Sequence, residues 1–175
     1  MRIVLPDPSL VVLIGTSGSG KSTFARRFFR PTEILSSDAY RGVVSDDETD
    51  QSATDDAFDV LHYVARKRLG AGRLTVVDAT NVQVRARRPL VAIARRHHVE
   101  PVAIVLDVPV ATCRDRNRAR PDRQFGPEVL ARQRREFERS IQELGSEGFA
   151  HTWVLAIEDI EAVEVHRWPS GPAAR

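Results

Sequence analysis

The sequence predicts an α/β fold in three layers, with a largely parallel central sheet and helices on both faces. Three observations carry this. Residues 10–14 form an unbroken apolar run ending at Gly15, the pattern of a strand buried on both faces. Similar short runs recur at 74–78, 102–106 and 152–156. The segments between them hold apolar residues at helical spacing, and right-handed crossovers would lay those helices on both sides of the sheet.

Taken in order, a helix is expected from Lys21 to about Phe29, stopped by Pro31. A second strand is expected over 33–37, then a loop over the acidic stretch 45–52. Ala57, Leu61, Val64 and Leu69 form an apolar stripe on a helix that Gly70 and Gly72 end. A third strand covers 74–78, and a helix over 84–97 precedes Pro101. The strand at 102–106 leads to a helix at 110–119. Residues 120–126 read as a loop, and Pro127 suits the first helical position. Leu130, Phe137, Ile141 and Leu144 mark one face of that helix, followed by the strand at 152–156 and a short sixth at 163–167. One domain over 1–168 and a flexible tail over 169–175 complete the expectation.

Composition narrows the function classes. With 175 residues, 42% of them hydrophobic, the chain can build an ordinary core. A single cysteine, Cys113, excludes a disulfide framework and a multi-cysteine zinc site. No apolar run approaches a membrane span or a secretion signal, so a cytoplasmic chain without membrane partners is expected. The net charge of +2 argues against nucleic-acid binding by bulk charge. The charge is nonetheless segregated: residues 46–59 hold seven acids and no bases, and residues 113–139 hold nine arginines against five acids. Only Lys21 and Lys67 are lysines. His62, His97 and His98 read as structural, and Cys113 as a packed thiol.

Gly15-Thr16-Ser17-Gly18-Ser19-Gly20-Lys21-Ser22 fits the phosphate-loop pattern at every position, between a strand and a helix. Glycines let successive N–H groups turn inward, and the helix N-terminus adds positive potential. Lys21 would reach the β- and γ-phosphates, and the Ser22 hydroxyl would ligate Mg²⁺. Thr23 follows on the same turn. This assigns a P-loop NTPase-type fold and ATP or another NTP as ligand.

In open α/β sheets ligands bind beyond the carboxyl ends of the strands. Asp38 lies just past the second expected strand and Asp78 ends the third, so both face the phosphate-loop edge. One could take the proton of an attacking hydroxyl, and the other could hold the Mg²⁺ water shell. The plain alternatives are a helix N-cap for Asp38 and a strand-end turn for Asp78. No Asn-Lys-x-Asp guanine reader is present, which disfavours a GTPase. A motor or AAA-type ATPase calls for a longer chain. A phosphotransferase with an arginine-rich lid fits better. Arg116 and Arg120, four apart, could converge from one helix face on a polyphosphate, and Arg123 follows.

Beyond these motifs, Ser36-Ser37-Asp38-Ala39-Tyr40-Arg41-Gly42, Val44-Ser45-Asp46-Asp47-Glu48-Thr49-Asp50-Gln51, Val76-Val77-Asp78-Ala79-Thr80-Asn81 and Arg116-Asn117-Arg118-Ala119-Arg120-Pro121-Asp122-Arg123-Gln124 resemble the bacterial polynucleotide kinase domain. The resemblance runs from about residue 9 to 155. It implies transfer of the γ-phosphate of ATP or another NTP to the 5′-hydroxyl end of RNA or DNA, in nucleic-acid repair. It also implies Mg²⁺, or Mn²⁺ in its place. By the same resemblance Asp38 is the general base and Arg41 orients the acceptor. Arg116, Arg120 and Arg123 are lid contacts to the nucleotide. Gln51, Thr54 and Asn81 lie on the acceptor side, and Asp78 reaches the metal through water. In the best-known family members this kinase is one module beside phosphatase and ligase modules, which become expected fused or associated partners. Two alternatives share the phosphate loop: a kinase for a small sugar or hydroxy acid, and a non-catalytic module that nucleotide switches. An acceptor panel separates the first, and detectable transfer to any acceptor excludes the second.

Overall fold

All six residues of β2 (Ser9–Ile14) are buried, which requires a partner on each edge and a layer on each face. A computed structural model, describing residues 1–119 and 126–169, supplies both. β2 pairs in parallel with β4 (Thr75–Asp78) on one edge and with β5 (Glu100–Leu106) on the other. β3 (Ile34–Ser36) lies outside β4, and β6 (His151–Leu155) lies outside β5. The described sheet therefore runs β3-β4-β2-β5-β6, parallel throughout. The chain leaves β2 toward β3 on one side and later leaves β4 toward β5 on the other, so the crevice at the carboxyl end of β2 is the topological switch point.

Alternate residues of β2 serve opposite layers. Leu10, Val12 and Ile14 pack with α3 (Thr54–Gly70), α4 (Val84–Arg96) and α6 (Pro127–Ile141), through Leu61, Leu90 and Phe137 among others. Val11 and Leu13 pack with α1 (Lys21–Phe28), α5 (Val110–Arg118) and β1 (Arg2–Asp7), through Phe24, Cys113, Ile3 and Leu5. Each fully buried leucine contributes about 1.5–3 kcal/mol by leaving water. This is the expected P-loop NTPase-type three-layer fold. No helix among the described residues is long and apolar enough to cross a membrane.

Three elements depart from the sequence expectation. β1 has the two-residue alternation of a half-buried strand, Ile3 and Leu5 inside, Arg2 and Val4 outside. Its brevity, Pro6 within it and Pro8 just after it hide that signal. It pairs in parallel with β7 (Glu164–Pro169), from Arg2 opposite Glu164 to Asp7 opposite Pro169. The short strand expected at 163–167 thus reaches Pro169, which the expected tail had claimed; residues 170–175 lie outside the described ones. The other two are helices, α2 (Ser37–Ser45) and α7 (Ile157–Ala162). α2 follows β3 without a gap and leaves Val43 exposed, so it carries little apolar pattern. Its N-cap is Ser36, whose Oγ accepts from the Ala39 N–H at 3.4 Å. Asp38 is therefore a first-turn residue and not the cap.

Candidate functional site

The phosphate loop turns on two left-handed glycines, Gly18 (φ 82°) and Gly20 (φ 96°). At Gly18 a Cβ would stand 2.4 Å from the Cys113 carbonyl oxygen, so the loop lies directly on α5. The thiol of Cys113 is buried there and accepts from the Thr16 hydroxyl at 3.3 Å. The loop is also fastened to the neighbouring strand end, where the Gly15 N–H donates to the Thr80 carbonyl at 3.0 Å. Gly20 then begins α1. The buried Lys21 Nζ donates to the carbonyls of Gly15 (2.9 Å) and Thr16 (2.8 Å).

β3 and α2 bring Asp38 and Arg41 to the same cleft. One turn apart on α2, they form an ion pair between Asp38 Oδ1 and Arg41 Nη2. Arg41 is buried, and its Nε donates to the Glu48 carbonyl at 2.9 Å. That carbonyl belongs to the acidic loop, two of whose carboxylates are used internally. Asp47 Oδ1 accepts from the Thr49 N–H and hydroxyl, and Asp50 Oδ1 accepts from those of Ser52. These bonds hold both carboxyls below the usual carboxylate range. The acidic stretch is thus a self-capped loop that presents a main-chain oxygen to Arg41.

Asp78, at the end of β4, is buried beside Ser22 and Lys21. Burial pushes its carboxyl above the ordinary value of 3.8, against the opposing pull of the Ser22 hydroxyl and the Lys21 charge. The folded chain therefore holds this proton at a pH where the unfolded chain has released it. Stability must fall as pH rises from 3.8 through the raised value. Asp78→Asn is expected to raise the melting temperature at neutral pH and to remove that slope. Melting curves across the weakly acid range check it; a lower melting temperature would mean that the Ser22 and Lys21 contacts outweigh burial.

Together these residues line a cleft of about 200 Å³: Lys21, Ser22, Asp38, Arg41, Gln51, Thr54 and Asp78 all face it. A second cleft, about 520 Å³, shares Gly18 and Gly20 with it and is lined by Thr23, Phe24, Arg116, Ile157 and Ile160. A groove of about 740 Å³ adjoins the first cleft through Thr54, Phe58, Thr80, Arg132 and Gln133.

Most expected site residues therefore converge. Asn81 does not join them in the first cleft. It is buried, with a left-handed backbone (φ 49°), and its Nδ2 donates to the Leu13 carbonyl at 2.8 Å. It fastens the β4–α4 turn to β2 and touches only the adjoining groove. Arg116 lies in the second cleft, beside Gly20. Arg120 and Arg123 lie outside the described residues. Sequence reasoning missed Asn117, Arg132 and Gln133, which also line the first cleft. Gln133 had a readable signal, since it is a polar residue three after Leu130 and four before Phe137 on an otherwise apolar stripe.

For a divalent ion the donors present are the Ser22 hydroxyl and the Asp78 carboxylate, hard oxygens suited to Mg²⁺. No group of three or more His, Cys, Asp or Glu among the described residues could hold a metal by itself. Mg²⁺ at such a site takes its remaining ligands from nucleotide phosphates and water.

Solved structures with similar folds include the Pnkp1/Rnl/Hen1 RNA repair complex, 22% identical with a TM-score of 0.67 over 78% of this chain and 46% of the other. The chain thus spans just under half of that relative. A candidate kinase from Chloroflexus aurantiacus is 17% identical with a TM-score of 0.62, over 90% of each chain. Kti12 of Chaetomium thermophilum, in complex with ADP-AlF3, is 20% identical with a TM-score of 0.61, over 87% of this chain and 92% of the other. No curated protein matches the chain. Residues 10–140 match the family model AAA_33, an AAA domain. Chain length disfavours a motor or AAA-type ATPase in the sequence reading; the family match corrects this for the AAA domain, which fits within residues 10–140. On a match over most of its residues the chain belongs to this AAA domain family, with a kinase-like P-loop nucleotide-binding fold.

Proposed function

We propose that the chain transfers the terminal phosphoryl group of ATP or another NTP to the 5′-hydroxyl end of RNA or DNA. The observation that carries this reading is the Asp38–Arg41 pair facing the same cleft as Lys21 and Ser22. A carboxylate opposite the phosphate cradle can take the proton of an attacking hydroxyl. A buried guanidinium held by the Glu48 carbonyl can steer an acceptor that carries its own phosphate. The second cleft suits the nucleoside half of the donor, with Arg116 beside the phosphates and Ile157 and Ile160 offering apolar surface. Lys21 and the loop N–H groups neutralise and orient the polyphosphate. Mg²⁺, when bound at Ser22 and Asp78, would offset charge between the β- and γ-phosphates.

In this reading the acceptor oxygen gives its proton to Asp38 as it bonds to the γ-phosphorus, and the bond to the β,γ-bridging oxygen breaks. NDP leaves. Transfer of this kind passes through a loose transition state, so positioning by Arg41 and Lys21 counts for more than base strength.

The small volume of the first cleft favours a second reading, a kinase for a small hydroxyl compound. Against it stands the adjoining groove, which gives an acceptor strand room to continue beyond its first nucleotide. Likeness to the Pnkp1/Rnl/Hen1 RNA repair complex supports the strand reading and, with it, repair proteins as partners. The test is an acceptor panel with labelled ATP. Label is expected on 5′-hydroxyl oligonucleotides and not on their 5′-phosphorylated forms or on small hydroxy acids. Labelling of the small acids alone would replace the reading.

A further inference from the structure

The helix α6 contributes a group to the phosphate cradle that neither the loop motif nor the arginine-rich segment accounts for. The Ser17 N–H donates to Gln133 Oε1 at 2.9 Å. A backbone N–H can only donate, so the amide orientation of Gln133 is fixed, with oxygen toward the loop and –NH2 turned away from it. Gln133 lines the cleft that holds Lys21, Ser22 and Asp38. On a side chain that lines this cleft, the amide nitrogen is thus a neutral donor turned away from the Ser17 N–H.

This donor stands on a rigid element. One residue on, Arg134 Nη1 binds Asp107 Oδ1 at 2.7 Å. Phe137 is buried in the core, and the Ser140 hydroxyl donates to the Val82 carbonyl at 2.6 Å. The fully buried Arg87 links Ser140, the Asn81 carbonyl and Glu147. Four residues of spacing along a pinned helix leave Gln133 little freedom to leave Ser17.

The geometry points to Gln133 as a direct donor to the terminal phosphoryl group of the nucleotide, an extension of the cradle from α6; this rests on the phosphotransfer reading above. Ser17 N–H is engaged by Gln133, and the amide passes the donor function outward to where negative charge collects during transfer.

Two substitutions separate this role from simple capping of Ser17. Gln133→Glu keeps an oxygen for the Ser17 N–H and nearly the same shape, but puts a carboxylate oxygen where the donor stood. Gln133→Met removes both functions. Calorimetry with ADP and with a non-hydrolysable ATP analogue, both with Mg²⁺, reads the effect, and melting temperature reports folding. Both variants are expected to lose about ten-fold or more in affinity for the analogue, Glu more than Met, with ADP affinity nearly unchanged. Analogue binding by Gln133→Glu at the wild-type level would overturn the proposal, because a cap alone tolerates that change. So would a loss shared equally by ADP, or unchanged nucleotide affinity with a raised KM for the acceptor. A wild-type chain that discriminates the analogue from ADP through Gln133 yet labels no acceptor would instead overturn the transfer reading and leave this one intact.

Discussion

Asp38→Asn is expected to slow phosphoryl transfer about 10²–10⁴-fold while nucleotide affinity stays near wild type. The substitution is chosen for what it retains. Asparagine has the volume of aspartate and an oxygen that still accepts from Arg41, so the pair on α2 keeps its geometry. What it loses is the capacity to take a proton from the incoming hydroxyl. Single-turnover rates beside equilibrium nucleotide binding check the split. A rate within a few-fold of wild type would remove Asp38 from the role of base. If Asp38→Ala then proved far slower than Asp38→Asn, the residue would be a holder for Arg41, consistent with a transition state that depends on alignment.

Lys21→Ala is expected to cost about 10²–10³-fold in kcat/KM and to weaken nucleotide binding as well. The two losses go together because the ammonium does two jobs. In the proposed reading its charge meets the polyphosphate, and it donates hydrogen bonds to the Gly15 and Thr16 carbonyls. Alanine leaves those buried acceptors without their donor, so the loop itself should loosen and the melting temperature should drop. Lys21→Arg is not expected to rescue the rate, since a planar guanidinium does not fit the space of a compact ammonium in a closed turn. Kinetics together with melting curves decide the matter. Full activity in Lys21→Ala would mean that the loop does not bind the transferred phosphate.

What the sequence made legible follows the strength of local signals. The central strand announced itself because burial on both faces demands an uninterrupted apolar run, and the phosphate loop because its conformation restricts residue types at fixed spacing. α2 and β1 were not legible. Nine residues with Val43 in solvent carry no stripe, and a six-residue strand with a proline inside it offers only two inward side chains. At the site, Lys21, Ser22, Asp38, Arg41 and Asp78 could be read because strand ends on a parallel sheet share one edge. The anchor of Arg41 could not, because it is the main-chain oxygen of Glu48, and a backbone atom leaves no mark in residue identity. Asn81 carries a tie that its residue type does not announce: its Nδ2 fastens the turn after β4 to β2, while the residue also lines the adjoining groove.

The pairing of β1 with β7 sets a schedule for the growing polypeptide. Arg2 meets Glu164 and Asp7 meets Pro169, so β1 leaves the ribosome and stays without its partner until nearly every later described residue has emerged. Through that interval Ile3 and Leu5, fully covered in the finished molecule, lack the strand that closes over them. Translation arrested before Val163 would therefore yield a chain whose cleft-lining residues are all synthesised but whose β1 remains open to wrong neighbours.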